Sequence, residues 1–197
     1  MEDGANIIQL SAARAGRDDP ALRHVEQYWD GLREGRLMPS RAEIDPRGLS
    51  PALDRAFILE RIAPGLARFR VAGRKLSEAM GLQVNGLPLS TCFHADARDR
   101  LADLLEGVFS EPNVVRLSLS APTGIGRPPF GGQMILLPLR DDLGGMSRAL
   151  GCLVTVGQIG RTPRRFVIDG AVKRSLRDAD VAVAAIAQLY SEEETPA

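Results

Sequence analysis

Residues 69–93, FRVAGRKLSEAMGLQVNGLPLSTCF, change texture several times in a short space. Phe69 and Val71 alternate with Arg68 and Arg70, the period of a half-buried strand. Gly73 breaks that run. RKLSEAMG (74–81) then predicts a short helix ended by a glycine. LQVNGLPLSTCF (82–93) is irregular and rich in turn formers. A strand that passes through glycine into a short helix, and then into a glycine-punctuated loop, constrains what must stand on either side.

Upstream, AFILERIA (56–63) is an apolar run suited to a strand and PGLA (64–67) is a turn. With RFRVAG (68–73) they predict a β-hairpin with one solvated face. Downstream, Leu101, Leu104, Leu105 and Val108 fall at helical spacing, and EPN (111–113) stops that helix. Three strands follow. VVRLSLS (114–120) alternates Val115, Leu117 and Leu119 with Arg116, Ser118 and Ser120. GGQMILLPLR (131–140) is a more continuous apolar run and is expected to be more deeply buried. ALGCLVTVG (149–157) sets Leu150, Cys152, Val154 and Val156 on one face. The loops APTGIGRPPFG and DDLGGMSR are of hairpin length with extended tips. The pattern predicts an α+β fold: a five-stranded antiparallel sheet with helices on one face.

Residues 1–18 have no steady period and are read as a flexible tail. Asp19-Pro20 pairs an N-cap with proline at the first helical position. Leu22, Val25, Trp29 and Leu32 form a heptad-like stripe, and Gly35 is the expected stop. The stripe suits equally a helix packed on its own domain and a dimer contact. Asp45-Pro46 repeats the cap-then-proline signature, and Leu49 and Leu53 are expected to share a face. Beyond the last strand, RRFVI (164–168) is one further short extended piece, DADVAVAAIAQLY (178–190) a helix, and SEEETPA an acidic end. This divides the chain into a tail at 1–18, a domain at 19–160 that includes the N-terminal helix, and a C-terminal extension at 161–197.

That order of elements is also the order of a PAS domain, and the residues resemble that family. The stretch 69–93 resembles the PAS segment in which the second strand ends in Gly, a short helix ends in Gly and a further glycine follows, here Gly73, Gly81 and Gly86. FHADARDRLADLL (93–105) is similar to the PAS motif His-Pro-Glu-Asp-Arg that opens the long helix, with Ala95 and Ala97 in place of its Pro and Asp. YWDGLREGRLMPSRAEIDP (28–46), followed by LDRAFILE (53–60), resembles a bacterial branch of single-domain PAS proteins. Its members carry a Trp helix, a Pro-x-Arg connector and an Asp-Pro before the first strand. The resemblance spans residues 24–158. It implies a sensory or regulatory scaffold, none of these motifs being catalytic.

The 197 residues are 44% hydrophobic and 25% charged, the composition of a soluble domain with a real core. Twenty-five basic residues balance 25 acidic ones, so no global field attracts nucleic acid or an anionic membrane. The start, MEDGANIIQLSAARAGRDD, lacks the basic and apolar regions of a signal peptide, and MILLPL (134–139) is too short to span a bilayer. A cytoplasmic location is expected, with Cys92 and Cys152 as reduced thiols.

TCFHADARDRL (91–101) sets one of the two cysteines beside one of the two histidines. Nucleophilic catalysis by Cys92 with His94 as base needs an orienting third group, and none is identifiable. Another reading accounts for more residues. Cys92 packs as a small hydrophobe, His94 serves a helix start, and Asp96 and Asp99 sit in the first turn, where the dipole favours negative charge. Phe93 and Leu101 then anchor the helix to the sheet. His24 and Cys152 are too distant to complete a zinc set. PAS domains that bind haem carry the axial His in the long helix, and residues 95–113 contain no His. The flavin photoreceptor type carries Asn-Cys-Arg-Phe-Leu, whereas STCFHA lacks the Asn before and the Arg after its Cys. No cofactor and no metal is expected. TGIGRPPFGG (123–132) invites a phosphate-loop reading, but a strand follows where a helix is required, so it is read as a flexible hairpin loop. RTPRRF (161–166) and VKR (172–174) are read as solvated arginines, not nucleic-acid contacts.

PAS domains often hold a small apolar ligand between sheet and helices. Met80, Leu87, Phe93, Leu104, Val108, Leu117, Met134, Leu136, Cys152 and Val154 are the candidates to line that space. A core filled at native density uses the same side chains and is the preferred reading. The expected function is a non-catalytic sensory or regulatory module. No kinase, cyclase or DNA-binding domain fits outside the core, so its output is expected to pass through another signalling protein or a homodimer. The surfaces expected to carry it are the Leu22, Val25, Trp29 and Leu32 stripe and the sheet face at Arg70 and Arg116. The alternatives are a protein that binds an apolar metabolite and a cysteine-dependent enzyme.

Overall fold

The computed structural model describes residues 19–177. Helix α1 (Pro20–Arg33) begins where the sequence places it: the Ala21 amide donates to Asp19 Oδ1 at 2.8 Å, and Pro20 takes the first helical position. It ends at Glu34 and Gly35, both with positive φ. Two 3-10 segments follow, Arg41–Glu43 and Pro46–Ala52. The second accounts for a departure from expectation. Leu49 is buried and Leu53 is exposed, because a 3-10 helix turns every three residues and residues four apart no longer share a face.

Strands β1 (Ala56–Ala63) and β2 (Leu66–Ala72) form the predicted hairpin. Helix α2 (Arg74–Met80) stops at Gly81, whose φ of 69° lies in the left-handed region that glycine reaches without a Cβ penalty. Two 3-10 turns, Leu89–Cys92 and Ala95–Ala97, lead into α3 (Arg98–Phe109). Strands β3 (Asn113–Ala121), β4 (Phe130–Leu139), β5 (Arg148–Gly157) and β6 (Val167–Ser175) complete the sheet. It is antiparallel throughout, in the order β2-β1-β5-β4-β3-β6.

Two expectations change here. The sheet has six strands, not five. RRFVI is the entry to β6, which pairs with β3 from Asn113↔Ser175 to Ser120↔Val167. The folded unit therefore continues past residue 160, and Phe166 and Ile168 belong to its core. Helices also cover both faces of the sheet, not one. One core lies between the sheet and α2 and α3, and a second lies under α1. β4 is buried at all ten positions, as its continuous apolar run predicts for a strand covered on both sides. The predicted tail at 1–18 and the DADVAVAAIAQLY helix lie outside the described residues.

Under α3, the Phe57 and Phe69 rings meet edge to face at 5.4 Å. Gly151 of β5 lies against Phe57, and a Cβ there would run into the ring. Under α1, the Trp29 indole N–H donates to the Pro138 carbonyl of β4 at 2.9 Å. Ion pairs tie the layers together. Glu26 of α1 meets Arg116 of β3 and Arg174 of β6. Glu106 of α3 accepts from Arg61 and from the Gly65 amide in the β1–β2 turn. Among the described residues no helix is long and apolar enough to cross a membrane.

Candidate functional site

Most of the predicted pocket lining meets in the core under α3. Met80, Phe93, Leu104, Val108, Leu117, Met134 and Leu136 are each at most 5% exposed there. Leu87 is only half-buried, on the loop whose carbonyl accepts from the Phe69 amide of β2. Cys152 and Val154 require correction, because they lie on the other side of the sheet, in the core under α1. The alternation on β5 groups them correctly with Leu150. The side facing α3 is instead supplied by Ala149 and Leu153, one residue out of phase.

The apolar stripe on α1 is also corrected. Leu22, Val25 and Trp29 are at most 1% exposed and Leu32 packs partly buried beside them, all against the sheet of the same chain. It is therefore not a free interaction surface. Arg116, expected on a solvated face, is held under α1 by Glu26. Arg70 remains largely exposed and reaches Glu60 at 3.5 Å.

No hydrogen bond joins the Cys92 and His94 side chains. Cys92 is buried, and burial pushes its thiol up to about 12, away from the thiolate a nucleophile requires. His94 stands before the Ala95–Ala97 turn without a side-chain capping bond. Its Nδ1 meets Asp96 at 3.2 Å, and its backbone amide donates to the Phe166 carbonyl at 2.8 Å. The side chain expected to cap the helix start instead turns to a carboxylate. Phe93 and Leu101 are buried in the α3 core, as the anchoring role predicts. Cys152 is also free and buried, its thiol likewise pushed up to about 12 by burial. Among the described residues no group of three or more His, Cys, Asp or Glu side chains could hold a metal ion.

A different constellation forms where the β3–β4 loop, the β5–β6 connection and the approach to α3 converge. His94, Pro122, Arg127, Pro163, Arg164 and Arg165 line a cleft of about 200 Å³ there. Backbone bonds fix its walls. The Arg161 amide donates to Gly126 at 2.6 Å, Gly124 and Arg127 exchange two bonds, and the Arg164 amide donates to Ala79 at 3.0 Å.

Arg164 overturns the reading of RTPRRF as solvated, being 1% exposed. Its Nη1 donates to the Ile159 carbonyl at 2.5 Å and its Nη2 to the Pro128 carbonyl at 2.8 Å. The guanidinium stacks 5.0 Å from the centre of the Phe130 ring. Carbonyls satisfy its N–H groups but bring no formal negative charge. Burial, and after it the charge of Arg127, hold the Arg164 pKa below its ordinary value. Among the described residues, the buried Nε of Arg127 has no hydrogen-bond partner. Such a deficit costs about 1–3 kcal/mol. Arg165 is exposed. Among the described residues, none of Arg127, Arg164 and Arg165 forms an ion pair with a carboxylate.

The sequence holds a signal for this cleft that residue-by-residue reading misses. Residues 112–140 and 143–168 contain neither Asp nor Glu, so Arg127 stands well away from any carboxylate along the chain, and the nearest to Arg164 and Arg165 is Asp169. That the segments meet is a matter of topology.

A family profile described as PAS domain matches residues 17–154. A comparison with curated proteins gives no match. Among solved structures, the light state of the blue-light photoreceptor Aureochrome1 LOV is similar at 16% identity and a TM-score of 0.38, over 57% of this chain and 88% of that one. A light-oxygen-voltage domain studied with a flavin analogue is 18% identical with a TM-score of 0.41, over 57% of this chain and 84% of that one. These likenesses are too remote to bear on function.

Proposed function

We propose that this chain, which belongs to the PAS domain family, serves in the cytoplasm as a sensory or regulatory module without catalytic activity of its own. Its output passes through contact with another signalling protein or with a second copy of itself. The observation that carries this reading is the family match, which covers both the hairpin-to-helix stretch at 69–93 and the helix opened by His94. The buried, high-pKa Cys92 supports it from the side of chemistry, since an enzyme built on that thiol needs it accessible and ionised. A flavin is not part of the proposal, because STCFHA lacks the Asn and Arg that flank the photoreceptor cysteine.

With the α1 stripe committed to the sheet, the contact surface moves to the outer strands. Val71 on β2 and Val172 on β6 are each more than half exposed. Affinity purification of the full chain from its native cell, read by mass spectrometry, tests the reading alongside sedimentation of the pure protein. A reproducible signalling partner, or a dimer lost in Val71→Asp or Val172→Asp, supports it. A chain that comes down alone and sediments as a monomer overturns it. Alkylation of Cys92 at neutral pH is expected to be slower than that of a free model thiol. A faster reaction would restore the cysteine-enzyme alternative.

A further inference from the structure

We propose that the cleft between the β3–β4 loop and the β5–β6 connection binds a small anion through carboxylate or phosphoryl oxygens. Arg127 and Arg165 are its donors, Arg164 adds a fixed positive charge, and His94 lies beside them. This goes beyond the partner-contact reading and does not depend on it.

Three observations converge on the cleft. The first is charge: three guanidinium groups line one cleft and, among the described residues, none of them pairs with a carboxylate, Asp96 meeting His94 instead. The second is preorganisation. Arg164 is locked by carbonyls and an aromatic face, and the loops bearing Arg127 and Arg164 are tied by backbone bonds to Gly126 and Ala79. A ligand would therefore meet a positive charge at Arg164 and a loop bearing Arg127 that are already held in place. The third is unused bonding capacity. Among the described residues the buried Nε of Arg127 has no acceptor, and the Arg165 side chain has no bonded partner. Planar guanidinium forks match the paired oxygens of a carboxylate or a phosphoryl group, and partial burial strengthens that attraction over its value in water. A cleft of about 200 Å³ suits a compact metabolite and not a polymer backbone. The bound oxygens would supply the negative charge that the site lacks.

The test titrates pyrophosphate and citrate separately into the full chain, with ionic strength held constant by chloride. Calorimetry and thermal unfolding are the readouts. At least one probe is expected to saturate and to raise the melting temperature. Affinity is expected to fall at least tenfold in Arg165→Gln, with a further loss when Arg127→Gln is added. Arg165 is exposed and, among the described residues, has no side-chain partner, so R165Q is expected to melt as the wild type does, which separates lost binding from lost folding. Saturation by pyrophosphate alone assigns a phosphoryl ligand, by citrate alone a carboxylate, and by both an oxyanion without that preference. Saturation by neither, or an unchanged affinity in R165Q, overturns the proposal.

Discussion

The two ends of β5 treat arginine in opposite ways. At its start, Arg148 meets Glu60 of β1 at 2.8 Å, and the same carboxylate holds Arg68 at 2.7 Å and Arg70 at 3.5 Å. Past its other end, beyond Gly157, Arg127, Arg164 and Arg165 gather around a cleft with no carboxylate among them. Burial pushes the Glu60 pKa up, but the hydrogen bond from Arg68 and the charges of Arg148, Arg68 and Arg70 outweigh it and leave the carboxyl below its ordinary value. At the far end the same balance runs against charge, and Arg164 is depressed. A formal net charge of zero conceals this contrast. Charge balance is a local property, and the sum over the chain excludes a global field without excluding an anion site.

The largest effect is expected at the paired end. Trp29 fastens α1 to β4 next to the Pro138↔Ala149 pair. Trp29→Ala should cost about 3–5 kcal/mol in urea unfolding. A loss below about 1 kcal/mol would mean that α1 is dispensable packing, and that the paired end is held by its ions alone.

Arg164→Met probes the other end. It strands the carbonyls of Ile159 and Pro128 while removing a buried charge, and the net loss should be about 2–3 kcal/mol. A more stable variant would show that the buried charge costs more than its bonds return, and the cleft would then be a strained site kept for another reason.

Glu60→Gln makes the paired end resemble the cleft by leaving Arg68, Arg70 and Arg148 without their carboxylate. The pairs are partly exposed, so the loss should be about 1–2 kcal/mol at neutral pH. Its sign with pH is fixed. Because the folded pKa lies below the ordinary 4.5, the stabilisation is complete above that value and is lost as pH falls through the folded pKa. Urea midpoints taken downward from pH 6 should therefore fall less steeply in the variant than in the wild type. The smallest effect is expected for Arg165→Gln, within about 0.5 kcal/mol of wild type by thermal melt, since its side chain is exposed and bonded to none of the described residues.

Local patterns were readable where local forces decide. Asp19-Pro20 announced the cap of α1, Gly81 the end of α2, and the more continuous apolar run of β4 its deeper burial, though not that helices would cover both faces. Alternation on β5 grouped Leu150, Cys152 and Val154, but the pleat does not say which of two covered faces a group meets. The stripe on α1 carried the same ambiguity, resolved only by the sheet it lies on. β6 was half visible in RRFVI, because its outer positions, Asp169, Lys173 and Arg174, are polar and mask the strand period. The cleft was hidden for a different reason. Arg127 and Arg164 stand far apart along the chain, and each taken alone reads as an ordinary loop residue. Only the pairing of β3 with both β4 and β6 sets their loops side by side.

The family match ends at residue 154, while the sheet runs on to Ser175. β6 occupies the flank of β3 that would otherwise be open. A chain cut after residue 160 would offer β3, with Val115, Leu117 and Leu119 in alternation, as a template on which any extended segment could dock, a second β3 included. β6 is a poorer template, since charged Lys173 and Arg174 are exposed along it, one on each face. The flank of β3 is thus closed by a strand of nine residues that lies wholly beyond the family boundary.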